Sequence, residues 1–176
     1  ETTERYPFLD NYPTVLSVLR LRIECQKVQF SALSLQSLRF FLNAEPRTAY
    51  ALYNLLGANV LGMCLRDAEK PVDVPTVHWG AGLRPAGLEG DEAVLPLPHQ
   101  VHPAYRLLME YFLFPEKFLF FDCDLPGIRN VRRSADVLIL LSEVPRQLQI
   151  GADTFALGCT PVVNLFPKTC EPVRIN

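Results

Sequence analysis

The feature that most constrains the fold is an apolar run in the last third of the sequence. In DVLILLSEV, residues 136–144, five consecutive positions are apolar, so both faces of a strand formed there would be apolar. A strand with one face in solvent alternates apolar and polar residues, whereas a strand covered on both faces reads as a continuous apolar run. The run therefore predicts a central strand in a sheet with protein packed against both faces.

Other segments have the alternation of half-buried strands. Residues 15–25 show it most clearly, with Arg20, Arg22 and Glu24 opposite the apolar positions. Further strands are predicted at residues 37–43, 60–67, 76–85 and 117–124. The glycines on one face of segment 76–85 predict a bulge or a close neighbour there.

Proline positions predict two helices. Pro46 begins a segment with one apolar stripe that ends at Gly57. Pro103 begins a second helix that Pro115 stops, because the residue before a proline is pushed out of helical geometry. Residues 84–103 are rich in Pro, Gly and acidic side chains and predict an irregular connection.

Strands mostly follow one another without an intervening helix, which predicts an α+β domain with mainly antiparallel sheets.

The chain of 176 residues is expected to form a single domain, with an alternative division into two sub-lobes near residues 85–103. A chain of this size buries about 70% of its unfolded surface, so its core needs no metal or disulfide. The cysteines form no C-x-x-C pair and lie in or beside apolar runs, which predicts buried free thiols. They are Cys25, Cys64, Cys123, Cys159 and Cys170.

Charge and hydropathy exclude several classes of partner. Lys and Arg number 17 against 19 Asp and Glu, a net charge of −2, so we expect no binding to nucleic acid or anionic lipid. No apolar stretch, whether residues 118–121 or the run in 136–144, is long enough to span a bilayer, and the first residues lack signal-peptide character. The chain is therefore expected to be soluble and cytoplasmic, without membrane insertion.

No catalytic constellation is recognisable. His78, His99 and His102 lack the ligand spacing and the carboxylate or thiolate partner of a zinc site, and no nucleophile, phosphate-binding or dinucleotide motif occurs. Asp122 and Asp124 would share one face of a strand and could hold a cation or form an acid pair, but they are expected to mark where the strand leaves the core. The sequence predicts no catalytic residue, no metal, no cofactor and no small-molecule substrate.

Five segments occur in a specific order: SLRFFLN with AYALYNLL, then YRLLMEYFLFPEKFLFFD, and finally FALGCTPVVNLF followed by EPVRI. On these motifs, from about Val15 to the end, the chain resembles the type VI secretion baseplate component TssF, the VasA or ImpG family. Cys123 departs from the apolar residue expected after FFD, and RYPFLDNYP matches weakly. TssF chains are several times longer, so the chain is expected to be a middle portion of such a protein.

The resemblance implies a structural scaffold without enzymatic activity. TssF-like proteins assemble with TssG, with the TssK adaptor and with a second TssF copy into baseplate wedges around the hub of a contractile injection machine in the bacterial cytoplasm. Two other hypotheses stay open on the residues alone. One is a β-rich module that binds a carbohydrate or peptide through Trp79 and other aromatic side chains, and the other is a metal-dependent hydrolase built on His99, His102 and nearby acids.

The long aromatic motif supplies the candidate site residues. The helix face of Tyr105, Leu108 and Phe112 is expected to pack back onto its own sheet, with Glu116 and Lys117 at an exposed corner. The predicted motif core is Tyr105, Leu108, Phe112, Pro115, Phe118, Phe120, Cys159, Pro161 and Asn164. The candidate interface is Tyr111, Phe114, Glu116, Lys117 and Phe121. Truncating Phe112 or Phe120 is expected to unfold the domain.

Overall fold

A computed structural model describes residues 5–70, 74–80, 82–96, 102–145, 148–164 and 166. Within them the chain forms two α-helices and two four-stranded sheets whose strands all pair antiparallel. The predicted α+β class with mainly antiparallel sheets is confirmed. The elements are β1 (Ser17–Glu24), β2 (Ser37–Leu42), α1 (Pro46–Ala58), β3 (Val60–Asp67), β4 (Val77–Trp79), β5 (Leu83–Ala86), α2 (Pro103–Leu113), β6 (Phe120–Asp124), β7 (Ser134–Leu141) and β8 (Phe155–Leu157).

The first sheet has the order β1-β7-β3-β4, so β7 is a central strand, as its apolar run predicts. Val137, Ile139 and Leu141 belong to the main core of the protein. Leu138 and Leu140 belong to a second apolar cluster. Because successive side chains of a strand point to opposite faces, the two clusters lie on the two faces of this sheet.

The segment before β1 covers the outer face of the first sheet. Tyr6, Leu9 and Val15 are buried and form the second cluster together with Leu138 and Leu140 of β7. This cover is the physical reason why β7 carries no polar alternation over its last residues.

The second sheet has the order β5-β6-β2-β8 and shares the main core with the first. Phe40 of β2 and Phe121 of β6 are paired in register and both are buried there. On the outer face Phe41 packs against Phe120, with ring centroids 4.9 Å apart. Both faces of the strand pair β2 and β6 therefore carry aromatic contacts.

Helix α1 packs its apolar stripe into the main core. Pro46 occupies its first turn, where a missing N–H costs no helical hydrogen bond. Ala49, Leu52, Leu55 and Leu56 are buried, and β3 begins two residues after the helix ends. The first predicted helix is confirmed.

The single strand predicted at residues 76–85 is wrong, because the chain changes sheets within it. β4 pairs with β3 in the first sheet, and β5 pairs with β6 in the second. Gly80 and Gly82 between them have φ values of +66° and +105°, which L side chains rarely adopt. A Cβ on Gly82 would also collide with the Met63 side chain. The glycines therefore allow the chain to cross from one sheet to the other. The alternating pattern of the residues around them does not correspond to a single strand.

The prediction of an extended segment at residues 117–124 is partly wrong. Residues Pro115–Phe118 form one turn of 3₁₀ helix, and the strand begins only at Phe120. Proline with its fixed φ suits the first position of such a turn. The uncertain C-terminal segment contains the short strand β8, and the described residues after it form no further helix or strand.

A row of charged residues crosses the first sheet. Asp136 of β7 has no solvent exposure and is in register with Arg22 of β1 and Arg66 of β3. Arg22 Nε donates to Asp136 Oδ1 at 2.8 Å, and Arg66 Nη2 donates to Oδ2 at 3.1 Å. Tyr6 lies with its ring 5.5 Å from the Arg66 guanidinium. Burial acts to raise the pKa of Asp136, but the hydrogen bonds from the two guanidinium groups outweigh it, so that the pKa is lowered.

We expect Asp136→Asn to lower the free energy of unfolding by about 2–4 kcal/mol, because the change leaves two neighbouring guanidinium groups without their anion. The half-exposed Arg22 keeps the cost below that of a fully buried pair. Urea denaturation at neutral pH measures the effect. Asp91→Asn, at an exposed acid, is the matched control and should leave the midpoint unchanged. Equal midpoints for both variants would contradict a structural role for the row.

Candidate interaction surface

Helix α2 begins and ends where the sequence predicts. Pro103 is in its first turn, and the His102 imidazole Nδ1 accepts a hydrogen bond from the Ala104 N–H at 3.2 Å. Phe114, with φ −150°, leaves helical geometry directly before Pro115. The predicted proline stop is confirmed.

The side chains of α2 are arranged opposite to those of an ordinary surface helix. Its buried residues are the charged Arg106 and Glu110. Six of its seven large apolar side chains are 52–74% exposed: Tyr105, Leu108, Met109, Tyr111, Phe112 and Leu113. We call these six residues the α2 outer face. Because the two charged residues of the helix are turned inward, this face carries no formal charge.

A buried ion pair determines this orientation. Glu110 Oε2 accepts a hydrogen bond from Lys117 Nζ, and both side chains are fully buried. Glu110 Oε1 accepts from the backbone N–H groups of Val94 and Leu95, each at 2.9 Å. Rotating α2 to bury Phe112 would pull the carboxylate away from these three donors. A buried charge without partners is far more costly than exposed apolar surface.

The environment of Glu110 favours its charged form. Burial acts to raise its pKa, whereas the Lys117 ammonium and the two backbone N–H groups lower it, and the net direction is down. Arg106 adds a weaker contact, with its Nε 3.8 Å from Glu110 Oε1. The carboxylate is therefore ionised at neutral pH.

A second carboxylate ties the irregular connection to the second sheet. Glu92 Oε2 accepts from the Gly87 N–H at 2.6 Å and from the Glu89 N–H at 3.2 Å. Its other oxygen pairs with Arg39 of β2 at 2.7 Å. Glu92 and Glu110 thus hold the two ends of segment 87–95, one against the sheet and the other against α2.

The two aspartates of β6, Asp122 and Asp124, are paired with arginines and not with each other. Arg39 forms two hydrogen bonds to Asp122, both 2.7 Å long, and Arg84 forms two to Asp124 at 2.8 and 2.9 Å. The Arg39 guanidinium lowers the pKa of Asp122. Both carboxylates are therefore neutralised by side chains of neighbouring strands.

Three predicted core positions of the aromatic motif are wrong. Tyr105, Leu108 and Phe112 are exposed, Phe112 by 74%, and do not pack onto the sheet. The reason is the buried pair, since Lys117 points inward to Glu110 and does not occupy an exposed corner. Glu116 is exposed, as predicted.

The remaining site residues divide between core and surface. Phe120 is buried, as predicted for the core. Phe121 is also buried, against Tyr53 at 5.1 Å, so its place in the candidate interface is wrong. Pro115, Phe118, Pro161 and the interface candidate Phe114 are half-buried. Cys159 and Asn164 are exposed and thus lie outside the core, whereas Tyr111 belongs to the α2 outer face.

An apolar groove runs between α1 and α2. It has a volume of about 520 Å³, and its walls include Tyr50 and Tyr53 of α1 and Leu107, Leu108 and Tyr111 of α2. Leu108 and Tyr111 also belong to the α2 outer face, so the groove and the face form one continuous surface.

Other candidate groups are dispersed or buried. His99 and Cys170 lie outside the described residues. Within the described ranges, no group of three or more His, Cys, Asp or Glu side chains could hold a metal ion. Burial raises the pKa of the Cys64 and Cys123 thiols to about 12. Neither α1 nor α2 nor any other helix in the described part is long and apolar enough to cross a membrane.

Comparison with known proteins gives the family. The model of the family described as "Type VI secretion system, TssF" matches residues 2–176. The chain belongs to the TssF family. Type VI secretion system component TssF1 of Pseudomonas aeruginosa is 28% identical over 174 residues, which cover 93% of this chain and 27% of that TssF protein.

A solved TssF-containing structure has the same fold. The TssK-TssF-TssG baseplate subcomplex of the type VI secretion system, determined by cryo-electron microscopy, contains a chain that superimposes with a TM-score of 0.70 at 28% identity. The match covers 91% of this chain and 31% of that chain. The chain therefore spans less than a third of the TssF relatives that it matches.

We expect Phe112→Ala and Phe120→Ala to differ sharply in stability. Phe120 is buried, so its truncation should cost about 3–5 kcal/mol. Phe112 is largely exposed, so its truncation should change stability by less than about 0.5 kcal/mol. Thermal melting followed by circular dichroism compares the two variants. A Phe112→Ala protein as unstable as Phe120→Ala would show that α2 is turned inward in solution.

We expect a pH dependence that Glu110→Gln reduces. The pKa of Glu110 is lower in the folded protein, so its contribution is complete above the unfolded pKa of about 4.5 and is lost as the pH falls through the folded value. Glu110→Gln should lower stability at pH 7 and flatten the decline below pH 4.5. Urea midpoints between pH 3 and pH 7 measure both effects, and Glu116→Gln, at the exposed neighbour, should follow the wild-type curve. A curve of unchanged slope in Glu110→Gln would contradict the ion pair.

Proposed function

We propose that the chain is part of a structural subunit of the type VI secretion baseplate, which assembles with TssG-like and TssK-like proteins and with a second TssF copy in the bacterial cytoplasm. The observation that carries the proposal is the α2 outer face, an uncharged apolar surface that the buried Glu110–Lys117 pair holds toward solvent. Contiguous exposed apolar patches mark interaction sites in soluble proteins. Membership of the TssF family and likeness to a chain in a TssK-TssF-TssG subcomplex support the choice of assembly.

Residues 1–176 are, in this proposal, one structural unit of a longer subunit. Both sheets and α1 contribute to one main core, which supports a single domain over two sub-lobes. The matched relatives extend far beyond the region of similarity, which supports a longer parent protein.

The proposed role is mechanical and not catalytic. Asp122, Asp124 and Asp136 form ion pairs with arginines, and a thiol with a raised pKa, such as Cys64 or Cys123, is a poor nucleophile. Trp79, on which the ligand-binding alternative rests, packs against Tyr12 with ring centroids 4.8 Å apart.

Co-expression of the tagged chain with its cognate TssG and TssK tests the proposal. We expect a complex that survives affinity purification and size-exclusion chromatography. The same tag on an unrelated protein of similar size is the control for binding through the tag. A chain that elutes free of both proteins, while retaining its native melting curve, would contradict a role in the baseplate.

A further inference from the structure

We propose that the groove between α1 and α2, together with the α2 outer face, binds an amphipathic helix from another baseplate subunit, which inserts an apolar and uncharged side. The inference rests on the proposed function and assigns the contact to a particular surface. The charge, the area and the shape of this surface each restrict the partner.

The surface is continuous and internally supported. Tyr111 connects its two parts, because it lines the groove and contacts both Phe112 and Phe118, at ring-centroid distances of 5.5 and 6.1 Å. Below this aromatic row, Glu110 and Lys117 fix α2 in position. The contact residues are therefore held in place before a partner arrives, which reduces the ordering cost of binding.

The charge of the surface restricts the chemistry of the partner. α2 has two charged residues, Arg106 and Glu110, and both are buried beneath the outer face. A charged side chain pressed onto this face would lose water without gaining a counter-ion. The inserted side of the partner must then consist of apolar or aromatic residues at the i, i+3, i+4 and i+7 spacing by which helices bind grooves.

The exposed area suits an interface of standard size better than a large obligate one. Six side chains that are 52–74% exposed present roughly 600 Å², if each large side chain contributes on the order of 150–250 Å² when fully exposed. A standard interface buries about 800 Å² on each partner, whereas obligate homodimers bury about 1,000 Å² or more on each. The area of the α2 outer face together with its groove is therefore closer to that of a standard interface than to that of an obligate homodimer.

The shape argues against two copies of this surface facing each other. The groove is concave, with a volume of about 520 Å³ between the two helices. Two copies facing each other would place groove against groove and leave both unfilled, which forfeits packing contacts. A convex helix fills the groove and covers Leu108 and Tyr111 at the same time.

Charge substitutions on the surface test the inference. Leu108→Glu places a carboxylate where the groove meets the α2 outer face, and Phe112→Glu places one on the part of the outer face outside the groove. Both wild-type side chains are more than half exposed. Phe166→Glu is the matched control, since Phe166 is 70% exposed and follows β8. Binding of each variant to purified TssG and to purified TssK is measured separately by calorimetry, after circular dichroism has shown native melting.

We expect Leu108→Glu and Phe112→Glu to weaken binding to one of the two proteins by about tenfold or more, with Phe166→Glu at the wild-type affinity. Wild-type affinity in both surface variants would overturn the inference, whereas the proposed function would still be supported by the family match and by binding of the wild-type chain. A wild-type chain that sediments as a dimer and becomes monomeric in Phe112→Glu would also overturn it, in favour of a second copy. Failure of the folded wild-type chain to bind either protein would remove the proposed function and the inference together.

Discussion

Glu110 and Lys117 face each other without solvent contact beneath helix α2, and the carboxylate receives two further hydrogen bonds from Val94 and Leu95. Taking two charges out of water costs several kcal/mol for each ion, and only close pairing with additional donors offsets that cost. The geometry therefore tolerates one orientation of α2. That orientation exposes Phe112 and its neighbours, so this exposed apolar surface depends on a buried ion pair.

Charged pairs also lie on the outer faces of both sheets. Asp136 lies between Arg22 and Arg66 on three adjacent strands, and Asp122 pairs with Arg39 across β2 and β6. Such rows contribute to strand register, because a slip of two residues would keep the apolar side chains on the same face but would separate each carboxylate from its arginine. The apolar main core stabilises the sheets without distinguishing among registers of similar pattern. The charged rows supply that distinction.

These features suit the proposed role, in which the chain presents a fixed surface to other proteins. A patch of aromatic side chains on a mobile helix would pack against any available apolar surface, including its own core. Anchoring α2 through a buried ion pair prevents that collapse and keeps the groove beside α1 open. Segment 87–95, held by Glu92 and Glu110, closes the other side of the helix and ties it to β2 through Arg39.

Local patterns in the amino-acid sequence are sufficient to predict the central strand β7, the limits of both helices, the antiparallel class and the likeness to TssF. These follow from local signals: unbroken apolar runs, proline positions and a long ordered motif. Two other features depend on the tertiary structure. Segment 76–85 divides between the sheets because Gly80 and Gly82 allow a backbone path that alternation does not reveal. The orientation of α2 depends on the ion pair between Glu110 and Lys117, which are seven residues apart and lie on opposite sides of Pro115. Periodicity shows which side chains share a helix face, but which face is buried depends on the partners that the fold brings to it.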